Sequence, residues 1–124
     1  MKIKPTNSEL EILKVLWNKG DCTVRDVNAE LSKDRDTEKG YTTTLKLMQI
    51  MAEKGLVERD TTNRSHIYKA LITREKTRQR IVQTMIDTVF NGSAAQLVMQ
   101  ALSNKKSSKE EIEMIKKYLG QLEK

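Results

Sequence analysis

Residues 40–71, GYTTTLKLMQIMAEKGLVERDTTNRSHIYKAL, change period halfway along. In the first half Leu45, Met48, Met51 and Ala52 recur at helical spacing, and Leu47 widens their stripe. Gly55 ends that helix, because glycine takes the left-handed C-terminal conformation without a Cβ penalty. In the second half, residues 56–59 and 66–70 read as two short strands around a turn-like Asp60-Thr-Thr-Asn-Arg64. The helix opens on three threonines, Thr42 to Thr44, although branched Cβ atoms crowd a helical turn.

The opposite stripe of this helix is Thr42, Lys46, Gln49 and Glu53, with Thr43 beside it. Short hydroxyl side chains let a helix N-terminus come close to a DNA major groove. There a threonine hydroxyl bonds a base edge or phosphate, and its methyl group meets a thymine methyl. The exposed N–H groups and the positive end of the helix dipole favour phosphate. A plainer reading makes the threonines caps or turn residues. The hairpin argues for the first reading, since Arg59, Arg64, His66 and Lys69 cluster on it, and an Arg at its tip is placed for the minor groove or phosphate. Lys69 reads better as a solvated surface residue.

Working outward, capping chemistry marks the other helices. Thr6-x-x-Glu9 and Thr23-x-x-Asp26 are capping boxes, followed by Leu10, Leu13, Leu16 and Trp17 and by Val24, Val27 and Leu31. Residues 32–39 are highly charged and read as a loop. Thr73 caps a helix running to about Phe90, closed by Asn91-Gly92. A short apolar helix follows over 93–102, then a polar break at 104–107. Ser108-x-x-Glu111 opens a last helix carrying Ile112, Ile115, Leu119 and Leu122.

The predicted class is mainly α with a small β-hairpin: a winged helix-turn-helix over 1–72 and a helical domain over 73–124. The second part carries Ile81, Val82, Met85, Val89, Leu97, Val98, Leu102, Ile112, Ile115 and Leu119. That is more apolar surface than about fifty residues can hide alone, so a second copy of the chain is the expected cover.

Composition narrows the function. A net charge of +6 over 124 residues suits a polyanionic partner. Charged residues make up 32% and aromatics 4%, so the core must be aliphatic and Met-based. One cysteine and one histidine preclude an internal disulfide and a metal site of usual spacing, and no cofactor is implied. His66 reads as a surface or phosphate contact, Cys22 as a small packing residue and Trp17 as a core anchor. Nothing orders Ser, His and Asp into a catalytic constellation, so an enzyme is not expected. The first ten residues lack the apolar run of a signal peptide, no stretch approaches a membrane span, and the expected compartment is the cytoplasm.

The segments LWNKGDCTVRDVNAEL, YTTTLKLM, EKGLVERD and HIYKAL stand in one collinear order. That set resembles the BlaI/MecI family of penicillinase repressors, and the resemblance covers nearly the whole chain. It implies a cytoplasmic homodimeric repressor bound to double-stranded, dyad-symmetric operator DNA, often built around TACA/TGTA. Carried over by position, the groove contacts fall at Thr42, Thr43 and Lys46, and the wing contacts at Arg64 and His66. Relatives often carry a basic residue late in the recognition helix, where this chain has Ile50. Copper-responsive relatives carry paired cysteines near the C-terminus, whereas this chain ends in GQLEK. In the penicillinase branch a membrane metallopeptidase sensor of the BlaR/MecR type triggers cleavage in the fifth helix. The matching bond here is Gln100–Ala101. Two other classes remain open: a winged helix that binds protein, for which the outward Ile50 speaks, and a MarR-like regulator that takes a small ligand in a pocket.

Overall fold

The computed structural model describes residues 5–33, 40–104 and 107–123. Its elements run α1 (Asn7–Lys19), β1 (Cys22–Thr23), α2 (Val24–Ser32), α3 (Tyr41–Lys54), β2 (Val57–Asp60), β3 (Ile67–Ala70), α4 (Arg74–Thr88), α5 (Ala94–Asn104) and α6 (Lys109–Leu122). The chain is mainly helical with a small antiparallel sheet, as the winged-helix pattern requires. The charged loop expected over 32–39 begins with Ser32 still in α2, and residues 34–39 lie outside the described part. The same holds for residues 105 and 106 of the polar break.

All three capping boxes form. Thr6, Thr23 and Ser108 each accept from the backbone N–H three residues on, and Glu9, Asp26 and Glu111 each reach back to the cap's own N–H. Thr73 accepts from the Lys76 N–H at the start of α4. At the far end of α3, Gly55 sits at φ +82° and the Leu56 N–H returns to the Met51 carbonyl. The chain therefore leaves the helix directly into the hairpin.

Sequence pattern did not reveal β1. Its two residues pair with β3 in the order β1-β3-β2, Cys22 opposite Tyr68 and Thr23 opposite Ile67. The strand is too short for any period-2 signal. It nevertheless seats the hairpin against the start of α2. His66, which reads as a strand residue in sequence, stands just before β3.

The core lies among α1, α2, α3 and the sheet. Ile12, Leu13, Val27, Met48, Met51, Leu56, Val57 and Tyr68 are buried there. Cys22 is also buried, and its thiol donates to the Gly20 carbonyl at 3.2 Å. Burial, helped by Asp26, pushes its pKa up, which keeps the thiol protonated and unreactive. Trp17 is half-buried against this core, with its indole N–H donated to the Ile72 carbonyl at 2.9 Å and the Arg74 guanidinium over its ring.

Two compact units divide within α4, between Ile81 and Val82. The first holds the winged helix and the opening turns of α4. In the second, α5 and α6 bury no residue at all.

A buried carboxylate ties α1 to α3. Glu9 is 2% exposed, and its two carboxylate oxygens accept from Lys54 Nζ at 3.0 and 2.9 Å. The capping glutamate of α1 thus also holds the last residue of α3. Burial pushes the Glu9 pKa up, but the Thr6 amide and the Lys54 ammonium outweigh it, leaving the carboxyl below its usual range. The unfolded chain then binds the extra proton in acid, so this stabilisation is complete above about pH 4.3 and is lost as pH falls through the lower folded value. Urea denaturation of Glu9→Gln is expected to show a loss of about 1–3 kcal/mol at pH 7. That gap closes as the pH drops below 4. An equal gap at pH 7 and pH 3 contradicts the ionised pair.

Candidate nucleic-acid interface

The threonines at the start of α3 divide by environment. Gly40 is the N-cap of α3 and offers no side-chain acceptor, so the threonines do not cap the helix. Thr42 and Thr43 are exposed, and so is Lys46 one turn on. Thr44 is fully buried, and its hydroxyl donates to Asn28 Oδ1 on α2 at 2.7 Å. That bond ties the first turn of α3 to the middle of α2 and sets which side of α3 faces outward. The sequence places Thr42 and Thr43 on the outward stripe and assigns Thr44 to neither face. The discriminating signal was spacing, since Thr44 falls four residues before Met48 on the core stripe.

Arg64 and His66 come together beside the start of α3. They line a groove of about 230 Å³ with Arg25 at the start of α2 and with Tyr41 and Leu45 of α3. Thr42, Thr43 and Lys46 do not line this groove; they stand on the outward stripe of the same helix. Arg59 and Lys69 line a different depression, with Asp21, Glu58 and Asp60, where acidic neighbours offset their charge. Arg25 and Tyr41 were not singled out from sequence. A basic residue just after the Thr23 cap, followed by the outward Asp26, was the available sign for Arg25. Tyr41 sits half-exposed at the first helical position.

The wing turn is held locally. The Asp60 carboxylate accepts from the Thr62 hydroxyl and from the Thr62 N–H, the latter at 3.0 Å. These bonds, with a smaller attraction from His66, keep the Asp60 carboxyl below its usual range. Arg64 follows this turn, so its backbone is positioned by a hydrogen-bonded loop while its side chain stays exposed.

Among the described residues no group of three His, Cys, Asp or Glu side chains can hold a metal ion. No described helix is long and apolar enough to cross a membrane. What the first unit presents is an uncapped helix N-terminus with short donors, flanked by arginines from two other elements. Exposed N–H groups, hydroxyls and guanidinium groups are the donor set that phosphate and base edges accept from.

On the second unit, Val82, Met85, Val89, Val98 and Leu119 are exposed, while Leu97, Leu102, Ile112 and Ile115 are half-buried, as is Ile81 at the end of the first unit. Met99, Met114 and Tyr118, which the sequence reading passed over, are exposed too. Gln100 and Ala101 lie exposed inside α5. The Gln100 carbonyl accepts from Ser103 Oγ at 2.9 Å, and its side chain donates to Asn104.

A family model described as "Penicillinase repressor" matches residues 5–121. Among curated proteins, the methicillin resistance regulatory protein MecI of Mammaliicoccus sciuri is 22% identical over 115 residues, covering 93% of this chain and 92% of that protein. MecI of Staphylococcus aureus (strain N315) is 21% identical over the same length and coverage.

The division among the threonines is measurable. Thr44→Val keeps the shape but strands Asn28 Oδ1, and is expected to cost about 1 kcal/mol in urea denaturation. Thr42→Val and Thr43→Val are expected to stay within about 0.5 kcal/mol of the parent. Equal costs at all three positions contradict the separate roles.

Proposed function

The chain belongs to the penicillinase repressor family, and from that membership we propose that it represses transcription as a homodimer on dyad-symmetric operator DNA. The observation carrying this reading is the exposed Thr42, Thr43 and Lys46 stripe beside the groove lined by Arg25, Arg64 and His66. Thr42, Thr43 and Lys46 enter the major groove, where threonine and lysine bond base edges and phosphate. Arg64 and His66 on the wing hold the adjoining backbone or minor groove. The net charge of +6 attracts DNA of any sequence, and the stripe selects among sequences. Ile50, the residue that spoke for a protein-binding helix, is half-buried and offers a partner little surface.

The winged helix of 1–72 reads DNA, and residues 73–124 form the dimer through Ile81, Met85, Val89, Leu97, Val98, Leu102, Ile112, Ile115 and Leu119. The absence of any buried residue in α5 and α6 supports a partner copy, since helices this short are marginal without packing. Dimerisation makes the second half-site contact intramolecular and so raises operator affinity. The repressor works in the cytoplasm.

Release follows a cut in α5 at Gln100–Ala101, made by or downstream of a membrane metallopeptidase sensor. That bond lies within a helix, and its carbonyl is engaged by Ser103. A protease needs extended backbone, so α5 must unwind first. Having no buried residue, it opens at low cost.

Binding to a selected operator and to random duplex tests the reading face. Thr43→Ala is expected to weaken the operator by about 1–3 kcal/mol and leave random DNA unaffected. Arg64→Ala is expected to weaken both and to lower the salt slope by about 1. Parental binding by both variants refutes the face.

The dimer and release steps have their own test. A chain ending at Gln100 is expected to sediment as a weaker dimer, bind the full operator less tightly and retain a folded winged helix. An intact dimer with parental operator affinity overturns both steps.

A further inference from the structure

The first unit contains another concave site, away from the groove of Arg64 and His66 and from the depression of Arg59 and Lys69. A cavity of about 460 Å³ opens beside the C-terminus of α3. Leu56, Leu71 and Ile72 supply apolar wall, and Lys54, Lys76 and Arg80 supply three cations. Leu71 is 53% exposed, an uncovered apolar surface beside a basic rim. Lys76 and Arg80 are one helical turn apart on α4, both exposed, and neither forms an ion pair among the described residues. The volume falls within the range of small-ligand sites, about 300–1,000 Å³.

We propose that this cavity binds a small organic anion: an apolar ring or chain seated on Leu56, Leu71 and Ile72, with a carboxylate or phosphate held by Lys76, Arg80 and Lys54. The cavity's mixed lining selects such a molecule over a neutral one, because its apolar body covers exposed leucine while its charge meets Lys76 and Arg80, which form no ion pair among the described residues. Concavity and position argue against the DNA of the proposed operator complex as occupant. Lys54 ends α3, about 12–18 Å along the helix axis from Lys46 and Thr42. Lys54 also gives the site a physical link to the recognition helix. Its ammonium already serves both oxygens of Glu9, so an anion in the cavity shares it and loosens the tie between α1 and α3.

Trp17, the single tryptophan of the chain, reports on this site. Its indole N–H is bonded to the carbonyl of Ile72, one of the cavity walls. The test is a fluorescence titration of the full chain, without DNA, by phenyl phosphate, benzoate, benzyl alcohol and inorganic phosphate at constant ionic strength. Omitting DNA separates the result from the fate of the operator reading. Phenyl phosphate or benzoate is expected to give a saturable change, with benzyl alcohol and inorganic phosphate each at least about tenfold weaker. The double variant Lys76→Ala/Arg80→Ala, with its fold checked by circular dichroism, is expected to lose the response. Failure to saturate, equal binding by inorganic phosphate, or an unchanged response in the double variant overturns the proposal. So does a double variant whose loss appears instead in DNA affinity and its salt slope, since the rim is then a DNA phosphate contact.

Discussion

The first unit depends on the Glu9 carboxylate. It closes the capping box of α1 through the Thr6 N–H at 2.8 Å, and it receives the ammonium of Lys54 from the far end of α3. Two charges at such a site are stable only as a pair with their remaining hydrogen bonds filled. Among the described residues no buried side-chain nitrogen or oxygen lacks a partner. The C-terminal end of α3 is therefore fixed by charge, and its first turn by the Thr44–Asn28 bond to α2. Between these anchors Met48 and Met51 fill the core. A helix pinned at both ends presents its outward residues at a fixed angle.

The two units treat apolar side chains in opposite ways. In the first, aliphatic residues from α1, α2 and α3 close around Tyr68, and polar residues at the periphery are tied by caps. In the second, the apolar residues of α5 and α6 remain wholly or partly in contact with solvent. A solvent-facing set of this kind on helices of 11 and 14 residues is unfavourable for an isolated chain and is the expected surface of an assembly. It also makes the second unit the easier one to open.

Much of this was legible without coordinates. Thr6, Thr23 and Ser108, each with an acid three residues later, mark helix starts because the capping box is a local hydrogen-bond exchange. Gly55 marks the end of α3 because positive φ is a local property of the backbone. The helical stripe of Met48 and Met51, followed by two short β-prone runs, fixed the winged-helix class for the same reason: period depends only on the chain's own geometry.

Other features needed the third dimension. The two-residue β1 exists only because β3 lies alongside it. Thr44 separates from Thr42 and Thr43 because Asn28, sixteen residues earlier, meets it across a helix pair. Arg25 joins the wing arginine because three elements converge on one groove. Lys54 reads in sequence as a common last-turn lysine, yet it finds Glu9 forty-five residues away. Local hydrogen bonds, periodicity and charge balance were determined by sequence, since each is settled within a few residues of chain. That Thr44 is locked to Asn28, that Arg25 and Arg64 both adjoin α3 and that Lys54 is locked to a buried acid were decided by tertiary structure, since those depend on packing partners that sequence order does not place.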